Sequence, residues 1–317
     1  MIKIFYRQGK EIIFSQSITE FASISKENVL WIDLLQPEGD EKRAVESFLG
    51  TEIQTRAQAE EIESSSRFSE EDGMIFANTN FLSPADDGML MDPVSFILSR
   101  STLTTLRDIP LRSFNVLQQK MQALPDEFTN GFSVFDEIMD KRVDLDADIV
   151  ELISKDTSQF SKRINQQEDI NENFLLDINQ LQENAMLIRE NVVDKQRMLS
   201  NILKSKFCPK EAEIKEDLGI ILQDIASLIS HINFTFERLE YLQDTALGLI
   251  NLEQNNIMKI FTIFSVVFLP ATLVASFYGM NVSLPFDDKG WAWLALAMIM
   301  VLMIGGIWIF AKRKKML

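Results

Sequence analysis

Counted in sevens from Asp244, the C-terminal part of the sequence gives Asp244, Asn251, Met258, Ser265, Thr272 and Gly279. A second series, offset by three or four residues, gives Gly248, Asn255, Thr262, Leu269 and Ser276. This a-and-d spacing places both series on one face of a helix. The face is mostly polar or small. Its oxygens could line a watery path for ions, and its isolated bulky members, Met258 and Leu269, could act as dewetting constrictions. The other faces carry Ile260, Ile263, Phe264, Val267, Phe268, Leu273 and Phe277. A polar stripe on a helix that crosses lipid must face protein or a water-filled cavity. Close helix packing by Ser, Thr and Gly is the competing explanation. The stripe continues beyond the apolar stretch through Asn255, Asn251 and Asp244, and it ends on the far side at Asn281, which favours the path.

The elements that carry these residues follow from hydropathy. Residues 257–277 and 291–310 are apolar, and the only formal charge inside them is Lys259, near the start of the first. Each is roughly 20 residues, enough to cross a hydrocarbon core about 30 Å thick. One two-span hairpin cannot enclose a pore, so transport requires several copies around an axis. Lys312, Arg313, Lys314 and Lys315 follow the second span. The loop between spans has one lysine, Lys289, next to Asp287 and Asp288. The positive-inside rule then puts the tail, and with it the N-terminal body, in the cytoplasm. Residues 278–290 form the outer loop and 311–317 the basic cytoplasmic tail.

Upstream the chain changes character twice. Residues 1–130 alternate short β segments (2–6, 29–32, 74–77, 94–98 and 102–106) with turn formers and with helices at 41–49 and 111–124. This is an α+β domain of α/β type. Residues 131–256 have long-helix composition, with apolar positions such as Ile178, Leu181, Ala185, Ile188 and Val192 at three- and four-residue spacing. The clear break there is Lys206-Phe207-Cys208-Pro209. After it, helical composition runs into the first span without a proline before Pro270. That predicts one helix of roughly 65 residues, about 100 Å at 1.5 Å per residue, rising as a stalk.

Composition excludes several classes. The 317 residues carry 47 acidic and 31 basic side chains, a formal charge of −16, which argues against nucleic acid as partner and suits cations. A single cysteine, Cys208, allows no intrachain disulfide, and a single histidine, His231, makes a side-chain zinc site improbable. His231 reads as a stalk packing residue and Cys208 as a turn residue. The N-terminus has no signal-peptide pattern. No glycine-rich nucleotide loop or catalytic triad is visible, and the chain reads as a non-enzyme without a cofactor.

Tyr278-Gly279-Met280-Asn281, at the outer end of the penultimate span, resembles the signature of the CorA family of divalent-cation transport proteins. The resemblance covers the whole plan: mixed cytoplasmic domain, long stalk, two C-terminal spans and basic tail. It implies a funnel-shaped homopentamer in the cytoplasmic (inner) membrane, with the first span of each subunit lining the pore. It implies Mg²⁺ as substrate and regulatory ligand, with Co²⁺ and Ni²⁺ as further substrates. Gly279, Met280 and Asn281 match the family's selectivity filter. Counting back without a gap, the cytoplasmic-mouth aspartate and asparagine fall on Asp244 and Asn255. The hydrophobic gates fall on Met258 and Leu269, and the pore hydroxyl on Thr272. Regulatory sites in the family join the N-terminal domain to a neighbour's stalk, and the candidates here are Asp86, Asp87, Asp217 and Asp224. Glu60 to Ser66 resembles a segment common in the family's soluble domain.

One departure concerns the outer loop. Many magnesium members end it Met-Pro-Glu-Leu, whereas here Pro285 is followed by Phe286, Asp287 and Asp288. These two aspartates are the candidates for the acidic outer mouth. Two other readings remain open. One is a zinc transporter of the ZntB branch, coupled to protons. The other is a membrane-anchored coiled-coil scaffold, in which the polar stripe serves packing alone.

Overall fold

The computed structural model describes residues 1–54, 67–85, 88–168, 170–280 and 289–313. The chain divides into two compact units, Met1–Leu242 and Gln243–Leu317.

The first unit is built on one seven-stranded sheet. Its strands are β1 (Ile2–Gln8), β2 (Glu11–Ser15), β3 (Val29–Leu35), β4 (Phe68–Glu71), β5 (Met74–Ala85), β6 (Gly88–Leu98) and β7 (Leu103–Arg107). Their order is β2-β1-β3-β7-β6-β5-β4. All neighbours are antiparallel except β3 and β7, which run parallel with Trp31 opposite Leu103. The sheet is therefore mixed, one parallel pair set among antiparallel neighbours.

Short helices α1 (Ile18–Phe21) and α2 (Gly39–Leu49) lie between the early strands, and α3 (Arg112–Ala123) follows β7. Glu38 and Glu41 form a reciprocal capping box at the start of α2, and Gly50 at φ 79° ends it. That left-handed backbone is available to glycine without a Cβ penalty.

β3 is buried from Val29 to Leu34, because both faces of the sheet are covered. Ile2, Ile4, Ile32 and Leu34 join Val45 of α2 and Phe21 of α1 in one core layer. On the other face Trp31 meets Phe5 and Phe114, and Phe81 meets Phe96 and Phe114. Strand alternation assigns adjacent residues to opposite layers.

Two long helices, α4 (Gly131–Gln166) and α5 (Glu172–Lys204), complete this second layer. Asn130 caps α4 through a reciprocal box with Ser133, and Asn171 caps α5 by accepting from the Phe174 amide. The break between them lacks the proline or glycine that marks most helix ends in sequence. Gln167 closes α4 at φ 54°, and Asn171 opens α5. The sequence reading found only the break at 206–209.

β5 and β6 pair from Ile75↔Leu98 to Ala85↔Gly88, much longer than the predicted segments 74–77 and 94–98. The extension carries Asn78, Thr79 and Asn80. Asn78 and Thr79 are nonetheless buried, and Asn191 of α5 donates to the Asn80 carbonyl at 2.7 Å. Polar strand residues buried by a helix leave no hydrophobic alternation to read.

The helix α6 (Ala212–Tyr278) runs for 67 residues with Pro270 inside it. Its length matches the expected roughly 65 residues. The last helix, α7 (Ala292–Arg313), ends with Lys312 and Arg313. Both α6 and α7 contain stretches apolar and long enough to cross a membrane, and neither stretch is buried within the chain.

Candidate ion pathway and acidic cavity

α6 carries every residue of the polar stripe up to Ser276, and Gly279 and Met280 follow its end. Proline removes one backbone donor, here to the Val266 carbonyl, yet the helix continues through Pro270. Seven residues fall about 20° short of two full turns on a straight α-helix. Met258, Ser265 and Thr272 thus spread over about 40°, and Asp244 lies about 40° beyond Met258.

Asp244, Asn251, Asn255, Thr262, Ser265, Thr272, Ser276 and Gly279 are all exposed in the single chain. So are the bulky pair, Met258 at 62% and Leu269 at 67%. The apolar residues Phe264, Phe268, Leu273 and Phe277 are exposed too. Among the described residues, neither the polar stripe nor these apolar side chains are covered by the rest of the chain. Lipid suits the apolar face, while the polar face needs other protein or water.

Two hydroxyls on the stripe have defined acceptors. Thr262 Oγ1 donates to the Met258 carbonyl at 2.7 Å and Thr272 Oγ1 to the Phe268 carbonyl at 2.8 Å. With its proton committed to the helix, each hydroxyl presents its oxygen as an acceptor. An acceptor is what a hydrated cation needs, because its water hydrogens point outward.

At the helix end the Gly279 amide bonds the Ala275 carbonyl at 3.0 Å. A Cβ at 279 would lie 3.2 Å from that same oxygen, tighter than most real Cβ contacts. Asn281, Asp287 and Asp288 lie outside the described residues, as do Asp86, Asp87 and the segment from Glu60 to Ser66.

The remaining regulatory candidates part company. Asp224 is exposed, and Asp217 is half-buried in a cavity of about 350 Å³. The cavity also takes Asp126 and Glu127 from the turn after α3, Asp136 and Glu137 from the second turn of α4, and Glu213 from α6. Lys120 of α3 bonds Glu137 at 2.7 Å and Glu127 at 3.0 Å. Burial alone would lower the Lys120 ammonium, but these two carboxylates outweigh it and hold its pKa above the usual range.

Asp136 forms no such ion pair among the described residues, and Lys120 only partly offsets its surroundings. One of its oxygens is buried with no hydrogen-bond partner among the described residues. Burial, then the charges of Asp217, Asp140 and Glu137, push its carboxyl up to about 7. Sequence reasoning missed Asp136, since the pairing of α4 with α6 that sets its environment is tertiary. Among the described residues no three His, Cys, Asp or Glu side chains converge to hold a metal ion directly. His231 is exposed rather than packed, and Cys208 is buried.

A family profile described as "CorA-like Mg2+ transporter protein" matches residues 26–313. The chain belongs to the CorA family. A relative named "Magnesium transport protein CorA", from Wolinella succinogenes, is 34% identical over 298 residues, covering 92% of each chain. Among solved structures, the complete CorA magnesium transporter from Methanocaldococcus jannaschii matches this CorA-family chain with a TM-score of 0.80 at 16% identity. That match covers 99% of this chain and 98% of the other. The ZntB cytoplasmic domain from Vibrio parahaemolyticus matches with a TM-score of 0.56 at 13% identity, covering 78% of this chain and 97% of that one. At such identities the structural likenesses speak for the fold alone.

Proposed function

We propose that this CorA-family chain conducts Mg²⁺ across the cytoplasmic membrane, with a homopentameric pore lined by α6. The observation that carries the reading is the uncovered polar stripe on one uninterrupted helix, from Asp244 to Ser276. Five copies would turn five exposed stripes into one lining and leave the apolar faces to lipid. Likeness to a relative named "Magnesium transport protein CorA", 34% identical over 92% of each chain, supports the choice of ion.

Mg²⁺ sheds its water reluctantly, so the path must accept a hydrated ion. A ring of Asn281 amides at the outer end would accept hydrogen bonds from that water. Neutral oxygens bind more weakly than carboxylates, which lets the ion leave again. Asp287 and Asp288 would concentrate cations outside, and Asp244 and Asn255 would receive them inside. Met258 and Leu269 would close the path by dewetting.

Closure is a physical necessity. A divalent ion gains about 4.6 kcal/mol per 100 mV, roughly a thousandfold accumulation or more. In this reading cytosolic Mg²⁺ acts as its own brake through carboxylates of the soluble body. Of the two described regulatory candidates, Asp217 is the one with acidic neighbours. Asp86, Asp87 and Asp224 are the others. Both termini are cytoplasmic in this arrangement.

Flux into proteoliposomes tests it. Potential-driven Mg²⁺ entry that falls as internal Mg²⁺ rises, and that Asn281→Ala abolishes, is the expected result; Co²⁺ and Ni²⁺ are run in parallel. Zn²⁺ entry that requires a pH gradient would replace the reading with zinc transport. Absence of flux for every ion would leave a membrane-anchored scaffold.

A further inference from the structure

A second cavity, of about 340 Å³, is lined by the C-terminal half of α5 together with Arg67, Phe68 of β4 and Asn78 of β5. It is basic, in a chain of formal charge −16. Among the described residues, Arg67, Arg197 and Lys204 line it, against one carboxylate, Asp194. Arg67 forms an ion pair with Asp194, so that carboxylate is already neutralised. Arg197 and Lys204 have no ion pair or hydrogen-bonded partner among the described residues. They stand seven residues apart on α5 with Asn201 between them, which brings all three to one helical face. A cation in the last turn of a helix offsets its negative end, which accounts for Lys204 but not for Arg197 two turns earlier.

We propose that this cavity binds a phosphate-bearing anion. Arg197 offers a planar fork that meets two phosphate oxygens at once, and Lys204 adds a mobile point charge. The Asn201 amide can donate beside them. The volume lies within the range of small-molecule sites and exceeds what one inorganic phosphate fills. Phe68 supplies an aromatic surface on the wall, where the base of a nucleotide could rest. No glycine-rich loop contributes, so side chains rather than backbone amides hold the phosphate. The free anion and the nucleotide share the phosphate chemistry, and only a measurement separates them.

Isothermal titration of the purified full-length protein in detergent, at low salt with a chelator present, tests the site. Inorganic phosphate, AMP and ATP are titrated separately. The expected result is saturable binding of at least one of them. Arg197→Gln/Lys204→Gln should weaken it tenfold or more, and Arg197→Lys by less. Tighter binding of AMP than of phosphate, lost in Phe68→Ala, would identify a nucleotide site. Equal binding that ignores Phe68→Ala would identify free phosphate. No binding of any of the three, or an unchanged affinity in the double variant, overturns the proposal. Both substituted cations are exposed, and an unshifted melting curve confirms that the variant is folded. The readout involves no ion flux, so it stands apart from the transport reading.

Discussion

Lys195 holds its ammonium 3.0 Å from the Asp146 carboxylate, and neither side chain reaches solvent. Arg142 pairs with the same carboxylate from one turn earlier in α4. Two cations therefore share one buried anion. Arg142 also donates to the Leu82 carbonyl at 2.8 Å, and Lys195 bonds Asn191, which in turn reaches Asn80. The group ties α4 and α5 to β5. Both cations stand over the Phe81 ring, at 5.3 and 5.7 Å.

Desolvation, opposed by Asp146 and reinforced by Arg142, draws the Lys195 pKa down to about 8. The unfolded lysine keeps an ordinary value near 10.4. Between these limits the unfolded chain binds more protons, so this group adds stability as pH rises from about 8 to about 10. Thermal melting of the parent and of Lys195→Met across that window measures it. The variant should lack this component, and a parallel pair of curves would refute it.

Asp33 and Arg107 make a second buried pair at the ends of the two parallel strands, with bonds of 3.0 and 2.7 Å. Thr105 adds a bond of 3.0 Å to the same carboxylate, and the guanidinium stacks over Phe114 at 4.6 Å. Arg107→Ala strands a buried carboxylate and should cost about 3–5 kcal/mol. Asp33→Leu/Arg107→Met should recover much of that loss, because the charge penalty disappears with both partners. Chemical unfolding of the single and double variants checks the order.

Asp136 moves stability in a different window. Its folded pKa of about 7 exceeds the ordinary value of 3.8, so the folded state binds more protons between them. Stability contributed by this group is present at low pH and falls as pH rises from about 4 to about 7. Asp136→Asn should raise the melting temperature at pH 8 by a few °C and flatten that slope. If the acidic cavity takes a divalent ion, Mg²⁺ should stabilise the parent at pH 8 more than Asp136→Asn or Asp217→Asn. Equal Mg²⁺ stabilisation of all three would remove this cavity from the regulatory reading.

Gly131 has a simple steric role. Its amide bonds the Ser101 carbonyl at 2.7 Å, drawing the start of α4 against the start of β7. A Cβ there would lie 2.9 Å from Thr102 Cα and closer still to the Thr102–Leu103 peptide. Backbone cannot yield as a flexible side chain can, so Gly131→Ala should cost about 1–3 kcal/mol. Gly219, whose added Cβ meets open space, is the control, and Gly219→Ala should be neutral or stabilising.

Sequence by itself determined the parts of this protein that rest on local, periodic signals. Two apolar stretches, and helical composition without proline between Pro209 and Pro270, were legible because hydropathy and helix periodicity need no partner. The polar stripe was legible for the same reason: a helix converts spacing directly into a face. Tertiary structure alone decided the rest. The break at Gln167 rests on an asparagine cap, and the long β5–β6 pairing rests on burial of Asn78 and Thr79 by α5. Asp217 acquires its acidic neighbours only when α4 packs near α6, which no spacing along either helix encodes. Asp33 with Arg107, and Asp146 with Lys195, are 74 and 49 residues apart in the chain, and each charge is tolerable inside only once its partner arrives.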